Sequence, residues 1–276
     1  MTERNMQWII SANVAKQFIS QGATILDTRN QLAYLIEHIT GAVHVTWQQF
    51  SQTEKSHRGK LLEDGNLLEK KLRKVGVFNS KPVIVIGNPP HNFGEEGRIV
   101  WMLRTLGHQK TAFVNGGYNA LVKAGVATSR GFHCSQEIGD FVVNRTDCWE
   151  IERDILRAKL SENKLTVIDT RQKQEYTGAT PYGEQRGGHI PGAVHFYFKD
   201  LMDSEGNLLK PEEIITKLEV LGIHCETPVV TYCTGGIRSA FFVAVLVNLG
   251  FFDVKNYAGS MWEWSASPCE KYLLRL

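Results

Sequence analysis

The chain carries two copies of one sequence pattern, and this duplication constrains its fold more than any other feature. Leu26-Asp27-Thr28-Arg29 returns 142 residues later as Ile168-Asp169-Thr170-Arg171, each closing a short apolar stretch that reads as a buried strand. His38-Ile39-Thr40-Gly41-Ala42-Val43-His44 returns as His189-Ile190-Pro191-Gly192-Ala193-Val194-His195, now 151 residues on. The second copy has therefore gained nine residues, which fall in the loop-like stretch Thr177 to Gly188. Gly65-Asn66-Leu67-Leu68 matches Gly206-Asn207-Leu208-Leu209, and the run Pro82 to Gly87 matches Pro228 to Cys233. Both copies then enter a helix-like apolar run that stops at Leu-Gly, Leu106-Gly107 and Leu249-Gly250, as a helix ending in a left-handed glycine does. A short strand and a further glycine, Gly117 or Gly259, follow.

Short continuous apolar strands alternating with helical segments predict an α/β fold in each half: a mainly parallel sheet flanked by helices. At 276 residues there is room for two such domains, predicted over 1–126 and 148–276, with 127–147 as a linker lacking helical periodicity. Glu3, Arg4, Asn5, Gln7 and Lys16 interrupt the apolar residues of Met1 to Gln21, which argues against a signal peptide. The apolar run Ala240 to Val247 is far too short to span a bilayer, and a net charge of +2 predicts no nucleic-acid or membrane surface. The five cysteines include no Cys-x-x-Cys pair, so reduced thiols in the cytoplasm are expected.

The copies differ most where the strand Pro228 to Tyr232 ends. There the second copy runs Cys233-Thr234-Gly235-Gly236-Ile237-Arg238-Ser239 directly into an apolar helix. Adjacent glycines let a tight loop turn its N–H groups inward, and the following helix adds its own free N–H groups and positive dipole end. Such a cradle stabilises a thiolate or the anionic end of a persulfide, so Cys233 is the predicted nucleophile. Thr234, Gly235, Gly236, Ile237 and Arg238 are the predicted substrate-binding residues, with Arg238 offering a planar fork to an oxyanion. Arg171 and Arg186 are further candidates, although an Asp-x-Arg at a strand end also makes structural hydrogen bonds.

With these residues in view, the chain resembles the two-domain rhodanese-type sulfurtransferases from about Trp8 to Trp264. The Asp-Thr-Arg of each half, His189 to Ala193, Cys233 to Arg238, Val114 to Gly117 and Tyr257 to Trp264 carry the resemblance. It implies a catalytically inactive N-terminal domain, a C-terminal domain bearing the persulfide cysteine, and an active site facing the cleft between them. Gly87 stands where Cys233 does, in a longer loop, Asn88 to Glu95, without a thiol. Vertebrate members place an arginine at the position of Glu175 and a lysine within the loop; this chain has neither.

The expected reaction moves sulfane sulfur from thiosulfate through Cys233 to cyanide or a thiol acceptor, with a thioredoxin-like or sulfur-relay protein as a further partner. No cofactor or metal is expected. The alternative donor is 3-mercaptopyruvate, whose enzymes resemble Cys-Gly-Ser-Gly-Val-Thr, with a hydroxyl residue where this loop has Arg238. A cysteine-dependent phosphatase would place five residues between Cys and Arg, and here there are four. A non-enzymatic binding module would not need Cys233. His38, His44, His189 and His195 recur in both copies and so read as structural, and Trp262 and Trp264 read as packing.

Overall fold

The computed structural model describes residues 6–54, 57–162 and 165–276; Glu3, Arg4 and Asn5 lie outside them. It contains two compact units. Unit 1 comprises Met1–Phe50, Leu62–Thr146 and Met202–Leu208, and unit 2 comprises Ser51–Leu61, Asp147–Leu201 and Leu209–Leu276. Each unit thus includes one short segment from the other half of the chain. Residues 127–146, expected as a linker, are counted within unit 1.

The strands of unit 1 are β1 (Ile9–Ile10), β2 (Thr24–Asp27), β3 (His38–Ile39), β4 (Val43–His44), β5 (Val83–Ile86), β6 (Thr111–Val114) and β7 (Thr128–Ser129). Its helices are α1 (Ala12–Ser20), α2 (Gln31–Ile36), α3 (Gly65–Lys74), α4 (Glu95–Thr105) and α5 (Gly117–Lys123). A parallel sheet runs β1-β6-β5-β2-β4, and β3 pairs antiparallel with β7. Unit 2 has β8 (Thr166–Asp169), β9 (Val194–His195), β10 (Val229–Tyr232) and β11 (Val254–Asn256). Its helices are α6 (Arg153–Ser161), α7 (Lys173–Tyr176), α8 (Pro211–Glu219), α9 (Ile237–Asn248) and α10 (Ser260–Ala266). Its sheet, β11-β10-β8-β9, is parallel throughout.

Every residue of β5, β6 and β10 is buried, as the unbroken apolar runs require when helices cover both sheet faces. The helices α4 and α9 end at Gly107 (φ +99°) and Gly250 (φ +95°), the left-handed caps that the Leu-Gly pairs predicted. Among the described residues no helix is long and apolar enough to cross a membrane.

One repeat match does not survive folding. Gly65-Asn66-Leu67-Leu68 opens α3, whereas 206–209 lies in the turn before α8. The true counterpart of 202–208 is 51–61: each closes on itself through one antiparallel bridge, Met202 with Leu208 and Ser51 with Leu61.

The recurring Asp-Thr-Arg is a buried corner clamp. Arg171 donates from Nε and Nη2 to the Asp169 carboxylate and from Nη2 to the Gly188 carbonyl at 2.8 Å. The Tyr232 hydroxyl donates to the same carboxylate at 2.6 Å. Arg29 repeats this on Asp27 and the Glu37 carbonyl. The paired histidines lock the adjacent turn: His189 stacks on Tyr176 at 3.8 Å and His38 on Tyr34 at 4.1 Å, each ring donating from Nδ1 to that tyrosine's carbonyl. His44 and His195 bond the carbonyls of Arg29 and Arg171.

Truncating one partner of such a buried pair strands the other. Asp169→Ala is expected to cost about 3–5 kcal/mol in urea unfolding; a loss below about 1 kcal/mol would show that the clamp is not structural.

Candidate active site

Strand β10 delivers Cys233 to the floor of the loop that joins it to α9, where the residue is 1% exposed. Gly236, the residue before α9, has φ +81°, and a Cβ there would lie 2.6 Å from the Ala258 carbonyl. Only glycine fits that conformation and that space. A Cβ on Gly235 would run into the Trp262 ring. The loop's outer carbonyls are capped from α10: Met261 N–H donates to Cys233 O at 3.1 Å and Trp262 N–H to Thr234 O at 2.9 Å.

With the carbonyls held outward, the N–H groups face the sulfur. Gly236 N–H donates to Sγ at 3.2 Å, and the Ser239 hydroxyl lies 3.5 Å from it. Ser239 has one proton, and its 2.7 Å contact to Asn256 Oδ1 is the shorter. Asn256 in turn donates to Gly236 O at 3.1 Å, bracing the loop. Burial alone pushes the Cys233 thiol up, but the Arg238 charge, Ser239 and the N–H groups of Ser239 and Gly235 outweigh it, so the thiol is held below its ordinary value. The arrangement stabilises the anionic form of a buried sulfur relative to an ordinary thiol.

Arg238 does not present the free fork expected from the sequence. Its two terminal nitrogens lie 2.6 and 2.8 Å from the Glu175 carboxylate, and Nη2 also donates to Thr234 Oγ1 at 2.7 Å. Burial would raise the Glu175 carboxyl, but Arg238 reverses this and holds it below the usual range, so the pair is ionised. The guanidinium therefore acts on Cys233 through its field. Arg171 and Arg186 are likewise occupied, Arg171 by Asp169 and Arg186 by the carbonyls of Trp264, Ser265, Ser267 and Tyr272. Thr234, Gly235, Gly236, Ile237 and Arg238 lie together around Cys233; Arg171 and Arg186 belong to the framework.

Sequence reasoning missed Ser260. Its hydroxyl accepts the Cys233 N–H at 3.1 Å and donates to Tyr257 O at 2.7 Å. Its φ of +50° is a conformation that costs a non-glycine residue about 1–3 kcal/mol and clusters at functional sites. The first copy has Gly117 (φ +55°) at this step, so the serine stands where a glycine would be unstrained.

Unit 1 fills the equivalent position differently. A Cβ on Gly87 would run into the Glu96 carboxyl, which accepts from Asn92 Nδ2 at 2.6 Å. Burial, and after it the neighbouring Glu95, push Glu96 up to about 8, so a neutral acid stands where unit 2 holds a thiol.

A family model for the rhodanese-like domain matches residues 11–124 and 152–267. A thiosulfate sulfurtransferase of Azotobacter vinelandii is 34% identical over 175 residues, 63% of this chain and 64% of that protein, so the match spans less than two thirds of the relative's length. A putative thiosulfate sulfurtransferase of Mycobacterium tuberculosis, SseB, is 28% identical over 274 residues, 95% of each. The crystal structure of SseA from Escherichia coli, described as a 3-mercaptopyruvate sulfotransferase of the rhodanese fold, matches with a TM-score of 0.80 at 25% identity, covering 92% of this chain and 99% of that one.

The Arg238–Glu175 pair yields a direct test. Arg238→Ala leaves a buried carboxylate without its cation and is expected to cost about 3–5 kcal/mol in urea unfolding, much of it recovered in Arg238→Met/Glu175→Leu. Equal losses in the single and double variants would refute the pairing.

Proposed function

Because the chain belongs to the rhodanese-like domain family, we propose that it moves sulfane sulfur from thiosulfate through a persulfide on Cys233 to cyanide or a thiol. The observation that carries this reading is the sulfur itself: buried, at 3.2 Å from a loop N–H, and with its thiol lowered by Arg238. A persulfide terminus is also an anion, so the same donors serve the free and the loaded states.

In the first half-reaction the thiolate attacks the outer sulfur of thiosulfate. A new S–S bond forms, the bond to the sulfonate sulfur breaks, and sulfite leaves with the electron pair. In the second, the acceptor attacks the terminal sulfur; with cyanide the product is thiocyanate and the thiolate returns. Ser260 and Ser239 hold the cysteine backbone and the sulfur side of the loop, so the nucleophile needs little reorganisation.

Thiosulfate is favoured over 3-mercaptopyruvate because the Azotobacter and Mycobacterium relatives carry that activity in their names, and because the loop lacks, at its sixth position, the hydroxyl residue of the mercaptopyruvate-type loop. A tight loop of four residues between Cys233 and Arg238 suits one sulfur atom better than a phosphate. Unit 1, with Gly87 and Glu96 in place of a thiol, supports the fold without transferring sulfur. The five free cysteines fit a reducing cytoplasm, where a thioredoxin-like or sulfur-relay protein would supply the acceptor thiol.

Incubation of the full chain with thiosulfate should load one sulfur atom on Cys233, located by peptide mass spectrometry, and Cys233→Ser should lower turnover at least about 1,000-fold. Thiosulfate should exceed 3-mercaptopyruvate in kcat/KM. Undiminished loading of Cys233→Ser would overturn the assignment, and a preference for 3-mercaptopyruvate would overturn the donor.

A further inference from the structure

A dianionic donor has to be met by positive charge, and the cations expected from the loop and its surroundings are already spent. Arg238 lies on Glu175, Arg171 on Asp169, and Arg186 on four backbone carbonyls. A further cation stands on the segment 51–61, which the first half of the chain contributes to unit 2.

Two contacts fix this segment beside the cysteine loop. Gly59 packs so closely that a Cβ there would lie 2.5 Å from Gly235 O and 3.1 Å from Ala258 O. Next to it, the Arg58 guanidinium lies 4.0 Å from the centroid of the Trp262 ring. That is the ring that covers Gly235, two residues from Cys233, and it is pinned from its other edge, Nε1 donating to Tyr182 O at 3.0 Å. Lys60, two residues after Arg58, is neutralised by Glu152 at 2.5 Å and Glu263 at 3.7 Å. Arg58 is exposed, and among the described residues no carboxylate pairs with it.

We propose that Arg58, held on Trp262, is the donor-recognition cation of this enzyme and biases it toward donors carrying two negative charges. The proposal rests on the persulfide reading of Cys233. A guanidinium held over an aromatic face keeps N–H donors for an anion, and the contact removes much of the rotamer freedom that a long exposed side chain otherwise gives up on binding. The contact acts before any bond changes, so it should appear in KM more than in kcat, and it should weaken as salt screens an exposed charge.

The test uses the full chain, with thiosulfate as the dianionic donor and benzenethiosulfonate as the monoanionic one, and cyanide as the acceptor. Arg58→Ala should lower kcat/KM for thiosulfate about tenfold, mainly through a higher KM, and should lower it for benzenethiosulfonate about threefold or less. Arg58→Lys should recover most of the thiosulfate loss, and Trp262→Ala in the Arg58 background should reproduce much of it. Raising ionic strength should increase KM for thiosulfate in the wild type and much less in Arg58→Ala. Wild-type protein that loads Cys233 while Arg58→Ala keeps kcat/KM for thiosulfate within about twofold would overturn this proposal alone. Wild-type protein that loads no sulfur on Cys233 from either donor would instead overturn the reading beneath it. Equal losses for both donors, carried in kcat, would also contradict charge recognition.

Discussion

A sulfur atom that is to be an anion while shielded from water has to be compensated by the protein, and the design of unit 2 follows from that requirement. Desolvation opposes the thiolate of Cys233 more than any single contact favours it. The compensation is distributed over the Arg238 charge, the N–H groups of Gly235, Gly236 and Ser239, and the Ser239 hydroxyl. Each of these creates its own demand. N–H groups facing inward need carbonyls facing outward, which α10 caps through Met261 and Trp262. A buried guanidinium needs a carboxylate, which α7 supplies as Glu175. The serine that receives the Cys233 N–H is held in a left-handed conformation.

The two units offer an internal comparison. Both close a parallel sheet with the same Asp-Thr-Arg clamp, the same tyrosine–histidine stack, and the same glycine-capped helix. They diverge in chemistry at the strand end that carries Cys233 in unit 2 and Gly87 in unit 1. In unit 1 the Glu96 side chain fills the space, and its carboxyl escapes the cost of a buried charge by remaining protonated. One fold thus answers burial in two ways, by compensating an anion and by neutralising an acid. The shared clamp recurs in both, with Arg171 engaged by Asp169 and the Gly188 carbonyl as Arg29 is by Asp27 and the Glu37 carbonyl.

What could be read from the sequence was whatever a short stretch determines by itself. The strand ending at Tyr232, the Gly-Gly turn and the apolar helix after it single out Cys233 as the candidate nucleophile, because strand, turn and helix start are local signals. The pairing of Arg238 is not legible in the sequence, because its partner lies 63 residues away and no spacing rule links the two. Glu175, in sequence a departure from the vertebrate pattern, is the group that holds Arg238. Ser260 carries no signal beyond its place after Gly259. The match of Gly65 to Gly206 shows the opposite error, where four similar residues sit in a helix in one copy and a turn in the other. The position of Arg58 depends on Gly59 meeting Gly235, a close approach that only the folded chain displays.

The loop and Arg238 favour the anionic form of the Cys233 sulfur over that of an ordinary thiol, and the most direct test is to titrate that sulfur. The thiolate ultraviolet absorbance of the wild type minus that of Cys233→Ser, followed against pH, isolates the one residue. The net of opposing effects at Cys233 predicts a midpoint below the ordinary value of 9.0 for a cysteine thiol. Absorbance should therefore appear as pH rises through that lower midpoint and be complete in mildly alkaline buffer. A midpoint at or above 9.0 would mean that burial outweighs the loop and Arg238, and the cradle would not stabilise the thiolate.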